Sequence, residues 1–266
     1  MKQIFRRLLE IIFRNSSFKR RLPKEFGNIP FYVSADAQLK YIKPGRKGFD
    51  ELLLNLAKRF ISEGDVVWDV GANVGVFSFS AAGKGGKVVM VEPDPFLVQL
   101  LRKSVEINED LELDLNVLPV ALSDNPGLEV FQIAERGRAS NSLASVGGRS
   151  QMGGVRKEII VPVMTMDSLL DNFSEPKFIK VDVEGGEIGA MNGGKRVLEE
   201  VRPLFFIEAD SKTRPGITSI FQKNDYALFE NIDHFEANIE IKGVIEKKDT
   251  LCIPREKIEQ IKSNLC

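Results

Sequence analysis

The stretch with the clearest chemical content is Val66-Val67-Trp68-Asp69-Val70-Gly71-Ala72-Asn73-Val74-Gly75. An apolar run of strand character enters a turn that holds Gly71 and Gly75, and helical periodicity opens after it. Glycines in such a turn let the backbone bend sharply and let a ligand come close. Free N–H groups at the helix start then face a polar ligand group. The spacing is not the dinucleotide fingerprint Gly-x-Gly-x-x-Gly. Asp69, at the strand end, suits a ligand with positive charge, such as a sulfonium or an α-amino group. The plain alternative is a strand–turn–helix with Asn73 as N-cap. A second acid, Glu92, ends the next apolar run in Val91-Glu92-Pro93-Asp94-Pro95. It lies about 20 residues further on, where a carboxylate can accept from two ribose hydroxyls. Its alternative role is to stabilise the next helix N-terminus, worth roughly 0.3–1 kcal/mol. Loop and acid together favour a ligand that contains ribose.

A further acidic group, Asp182 and Glu184, follows the apolar run Phe178–Val181, and Glu208 ends Leu204–Ile207. Paired carboxylates push one pKa upward and can serve as a general base. They can also orient a turn or hold a divalent cation, which the reading allows but does not require. Lys180 either orients a carboxylate or faces solvent. His234 is the single histidine, so multi-histidine metal sites are excluded and any Ser-His-Asp triad rests on it. Standing outside these segments, it reads as incidental. The two cysteines, Cys252 and Cys266, have no disulfide or zinc spacing, and cytosolic residence is the simplest reading.

These residues need elements to hold them. Strand-like runs at Val66–Val70, Lys87–Val91, Leu115–Val120, Phe178–Val183, Leu204–Ala209, Tyr226–Glu230 and Thr250–Ile253 alternate with helical ones. The helical runs are Phe49–Ser62, Val74–Ala82, Pro95–Ile107, Met166–Leu170, Gly186–Val201, Ile217–Lys223 and Arg255–Lys262. Such alternation predicts an α/β domain, a mainly parallel sheet with helices on both faces, that binds ligands at the strands' carboxyl ends. Gly127–Ile133 and Glu158–Val163 read as partner strands. Between them Arg136–Gly154 reads as a loop, either plainly flexible or a lid whose Arg136, Arg138, Ser140, Asn141, Ser142 and Arg149 meet a glycan or anionic acceptor. Leu22–Lys47 reads as irregular, with one strand near Phe31–Val33.

Asp69-Val70-Gly71-Ala72-Asn73-Val74-Gly75 and Glu92-Pro93 resemble the first two motifs of class I S-adenosylmethionine methyltransferases. Phe178-Ile179-Lys180-Val181-Asp182-Val183-Glu184-Gly185-Gly186-Glu187 resembles the hallmark of the FkbM family, and the likeness extends from about Phe49 to Pro254. The resemblance implies a Rossmann-like class I methyltransferase fold with a seven-stranded sheet over residues 48–266, and S-adenosylmethionine as cofactor. Asp69, Gly71, Asn73 and Gly75 would hold its methionine part. Glu92, with Asp94 nearby, would hold the ribose, and Ala121, Leu122 and Ser123 would line the adenine. Asp182, Glu184 and Glu208 are then the expected base or acceptor-binding groups. The family implies O-methylation of a hydroxyl on a saccharide or other small molecule. A nicotinamide-dependent oxidoreductase and a non-catalytic cofactor-binding module are the alternatives.

The chain has 266 residues, 43% hydrophobic and 28% charged, with 37 basic and 38 acidic side chains. This is an ordinary soluble composition, and it gives no reason to expect a nucleic-acid partner. The basic amphipathic arm Met1–Arg21 suits peripheral contact with an anionic membrane face, or else a packing or dimer contact. The sequence does not set the oligomeric state.

Overall fold

The computed structural model describes residues 14–135, 137–146 and 153–265. A short antiparallel pair, β1 (Phe18–Arg21) and β2 (Pro30–Val33), comes first. Helix α1 (Glu51–Phe60) follows, capped by Asp50, whose side chain accepts from the Leu52 amide at 3.1 Å. Next come β3 (Val66–Val70), α2 (Val76–Ala82), β4 (Lys87–Val91), α3 (Pro95–Glu106) and β5 (Leu115–Leu118). An inserted small sheet contains β6 (Ala121–Leu122), β7 (Gly127–Ala134), β8 (Ser142–Leu143) and β9 (Val155–Met164). The chain then forms α4 (Met166–Leu170), β10 (Phe178–Val181), α5 (Glu187–Asn192) and β11 (Leu204–Glu208). It ends with α6 (Arg214–Lys223), β12 (Tyr226–Phe229), α7 (Ile232–Glu236), β13 (Asp249–Pro254) and α8 (Ile258–Leu265).

Seven strands form the main sheet in the order β12-β13-β11-β10-β3-β4-β5. Only β13 runs against its neighbours. The expected α/β architecture is therefore present, with one antiparallel strand near an edge. Alternate residues of each central strand enter different cores, as a sheet covered on both faces requires. Val67, Met90 and Phe206 pack with α1, α2 and α3, whereas Trp68, Val89, Ile179 and Phe205 pack with α4, α5 and α6. Strand order reverses between β3 and β10, so the ends of these strands bound the crevice where such sheets bind ligands.

The expected long helix Gly186–Val201 is broken in two. Helix α5 stops at Gly193, where a Cβ would come within 2.2 Å of the Ser123 carbonyl oxygen. A separate wide turn, Val197–Val201, starts where Asp167 accepts from the Arg196 and Val197 amides, both at 3.1 Å. The predicted loop after β7 also holds more order than expected. Asn141 accepts from the Ala134 amide at 2.9 Å and turns the chain back so that β8 pairs with β7. Leu22, Phe26, Phe31, Val33 and Tyr41 join the same core as α1, so the irregular segment is continuous with the domain from Leu22 onward. Met1 to Phe13 of the basic arm, with Arg136 and Arg149, lie outside the described residues.

Candidate functional site

A cleft of about 1410 Å³ opens where β3, β4, β10 and β11 end. Its floor is the loop after β3. Gly71 has φ +78°, and a Cβ there would lie 1.9 Å from the Asp182 carbonyl oxygen, so only glycine fits. Gly75, at φ +83°, is the N-cap of α2 and is walled in by Phe79 and Leu101. It shapes the turn from behind and does not line the cleft. Asn73 does line it, but it is not the helix cap. It sits at φ +55° with its side chain accepting from the Val74 amide at 2.8 Å.

Asp69 lines the cleft and is fully buried. Lys180 donates to one of its oxygens at 3.0 Å and Ser78 to the other at 2.5 Å. The expected attraction for a cationic ligand is therefore largely met inside the protein. Lys180 also donates to the Gly71 carbonyl at 3.0 Å, so the pair braces the glycine turn. Burial alone would lower the Lys180 pKa, yet the Asp69 and Asp182 charges hold it above its ordinary value. This lysine does not face solvent.

Glu92 is buried beside the loop. One oxygen accepts from the Asn73 amide and the other from the Asp94 amide, both at 2.9 Å. Burial pushes its carboxyl up to about 8, against the two amides that favour the anion. The two amides thus hold the carboxyl group in one orientation at the cleft. Asp94 is placed differently from the expectation. It is fully buried, caps α3 through the Phe96 amide at 2.8 Å, and does not line the cleft. Ala121 and Leu122 line the wall beyond Glu92, whereas Ser123 turns away and its hydroxyl reaches Asp124 at 3.3 Å.

At the other end, Asp182, Glu184 and Glu208 place carboxylate oxygens within 4.8 Å of one another. Such a group can share a proton or a divalent cation. Lys180 lies 3.9 Å from Asp182, and Lys248 forms an ion pair with Glu208. Glu184 sits at φ +41°, a left-handed conformation that strains a non-glycine residue, and strain of this kind gathers at functional sites. One further acid lies outside every sequence motif. Asp249 opens β13, stands opposite Glu208 in the antiparallel register, and lines the same cleft. Burial pushes its carboxyl upward, and the Asp50 and Asp182 carboxylates add to this against Lys248. Its segment carried no motif, and only strand pairing brings it here. His234 does not line the cleft, and its ring nitrogen lies 3.7 Å from Glu230.

Arg138, Ser140 and Asn141 line the cleft, and Arg138 and Asn141 also reach inward to buried carboxylates. Arg138 donates to Asp94 at 2.8 and 2.6 Å and to Asp36 at 2.9 Å, and Asn141 donates to Asp94 at 2.7 Å. Buried carboxylates capture them because an unpaired charge there is costly.

A family model described as the methyltransferase FkbM domain matches residues 69–237, which is most of the chain. The chain belongs to this family. An uncharacterised protein of Methanocaldococcus jannaschii is 35% identical over 54 residues, a match covering 20% of this chain and 21% of that one. Among solved structures, the crystal structure of methyltransferase FkbM from Methylobacillus flagellatus is similar with TM-score 0.49 and 19% identity. That match covers 72% of this chain and 44% of the other. The Pyrococcus abyssi tRNA (uracil-54, C5)-methyltransferase, solved with S-adenosyl-L-homocysteine, is similar with TM-score 0.41 and 13% identity, covering 89% of this chain and 43% of that one. This chain thus spans less than half the length of either structure. The FkbM match contains the glycine loop, Glu92 and all three clustered acids, and ends before Asp249.

Proposed function

We propose that the protein is an S-adenosylmethionine-dependent methyltransferase that acts on a hydroxyl of a saccharide or similar small polyol. One observation carries the reading. A single cleft holds a pre-aimed, ribose-type carboxylate at the end of β4 and a set of acids at the ends of β10 and β11. The fit to the cofactor is good on the protein's side. Glu92 would hold the ribose, the Gly71–Asn73 backbone the methionine part, and Ala121 and Leu122 the adenine. Bound there, S-adenosylmethionine supplies a methyl group on a sulfonium leaving group.

The protein's own residues then have three tasks. The glycine turn and Glu92 orient the donor. The acids on β10, β11 and β13 orient the acceptor hydroxyl and take its proton, with Asp182, Glu184, Glu208 and Asp249 as the available groups. The third is to keep water away from the reacting groups. Acids crowd the acceptor half of the cleft, and Lys180 and Lys248 beside them are already paired. The likeness in family and the absence of a Gly-x-Gly-x-x-Gly turn both weigh against a nicotinamide cofactor.

Calorimetry with S-adenosylhomocysteine and with NAD tests the cofactor. Binding of the first alone is expected, and binding of NAD alone removes the proposal. Transfer of a labelled methyl from S-adenosylmethionine into a panel of free neutral sugars, amino sugars and uronic acids tests the acceptor. We also propose that the basic residues of segment 1–13 make peripheral membrane contact, supported by their charge pattern. Among the described residues no helix is long and apolar enough to cross a membrane.

A further inference from the structure

Arg138 has a use that neither an acceptor lid nor the cofactor motifs explain. Its guanidinium is about nine-tenths buried and joins three distant stretches of chain. The Nε–H donates to Asp36 at 2.9 Å, one terminal nitrogen donates to both oxygens of Asp94, and the other donates to the Asn15 side chain at 2.9 Å. Its plane lies over the Phe96 ring at 4.4 Å. Arg156 completes the far side with two bonds to Asp36, at 2.9 and 2.8 Å. Asn15 in turn donates its amide towards Asp36 at 3.4 Å, and Arg14 pairs with Glu135 at 2.9 Å.

The near end of this network is the turn that carries Glu92. The Asp94 amide holds one Glu92 oxygen, while the Asp94 side chain is held by Arg138, Asn141 and the Phe96 amide. Both Asp94 oxygens are thereby occupied inside the protein. A guanidinium fork that matches two carboxylates at once fixes direction as well as distance. Arg138 also lines the cleft, so the insertion, the root of the N-terminal arm and the Glu92 turn meet at one side chain.

We propose that Arg138 is a positioning residue for the cofactor site: it latches the insertion and the Arg14–Asn15 stretch onto the Glu92–Asp94 turn and so holds Glu92 in its ligand-ready orientation. Cofactor occupancy and the order of these two stretches are then linked, and the linkage works in both directions. The proposal rests on the cofactor reading above.

The test uses the full chain and S-adenosylhomocysteine as probe. Calorimetry is expected to show affinity weakened about 10-fold in R138A, because the carboxylate loses its pre-organisation, with partial recovery in R138K. Lysine keeps the charge but cannot serve Asp94 and Asp36 together. N141A, which removes one donor to Asp94 and leaves the arginine, is expected to weaken binding by a few-fold. It decides the matter if R138A does not fold. Hydrogen exchange is expected to show ligand-induced protection of peptides covering residues 14–22 and 137–143 in the unaltered protein and not in R138A. A residue that only stabilised the fold would lower the melting temperature without changing affinity or this protection, and that result overturns the proposal. If the unaltered protein does not bind S-adenosylhomocysteine, the cofactor reading falls and the proposal with it. If it binds and both variants bind equally well, the proposal alone falls.

Discussion

Glu92 shows how one side chain can carry two opposite pH dependences. Its carboxyl, pushed up to about 8 by burial, holds a proton in the folded protein at pH values where an unfolded glutamate has lost it. That contribution to stability is fully present below the ordinary value of 4.5 and is lost as pH rises through about 8. Binding of a ribose diol has the reverse sign, because two donated hydrogen bonds favour the anion. Below about pH 8 the ligand must expel the proton, so affinity for S-adenosylhomocysteine is expected to rise with pH and then flatten. Calorimetry in two buffers of different ionisation enthalpy should show proton release at pH 6.5 and little at pH 9. Affinity that does not vary over that range would show that Glu92 stays ionised throughout. The identity of this acid was legible in the sequence from its place after β4. Its Asn73 amide donor was not, because that amide comes from the loop after β3 and is brought close by the β3–β4 pairing.

Lys180 and Asp69 belong to the scale of elements. They are direct partners in the parallel register of β10 and β3, on one face of the sheet, and their ion pair spans the switch in strand order. Each was noticed separately in the sequence, and only the register joins them. Burial makes the pair sensitive. K180M leaves a fully buried carboxylate without its counter-charge, and a loss of about 3–5 kcal/mol is expected by urea unfolding. Adding D69N should recover part of that loss, since the two sites are in contact. Additive losses would mean that the lysine acts mainly through the Gly71 carbonyl. The same paired-strand logic delivers Asp249 to the cleft. Its strand runs antiparallel, so its first residue lies beside the carboxyl end of β11.

Across the whole molecule, the described part of the N-terminal stretch is fixed to the domain. From Asn15 onward it is bound to the domain through Asp36 and Arg138, and Phe18–Arg21 pairs with β2. The basic residues Lys2, Arg6 and Arg7 precede that anchored part. Deleting residues 2–13 spares the β1–β2 pair and the Asn15 contacts. It is expected to lower co-sedimentation with phosphatidylglycerol vesicles and to leave S-adenosylhomocysteine affinity unchanged. Vesicle binding equal to that of the full chain would remove the membrane proposal.

The sequence by itself determined the alternation of strands and helices, the glycine turn, and the acids that end β4, β10 and β11. These depend on local propensity and on the need of each strand to bury both faces, which is written along the chain. Tertiary structure decided which acids are available. Asp69 and Asp94 bear the same carboxyl group as Glu92 and Asp182, yet a buried lysine pairs with the first and a buried arginine with the second. It also tied Arg138 and Asn141, which line the cleft, to Asp94, and it brought in Asp249 from outside every motif. The physical reason is common to all of them. A carboxylate's role depends on burial and on its nearest donors, and those donors come from residues far along the chain, 111 positions away for Lys180 and Asp69.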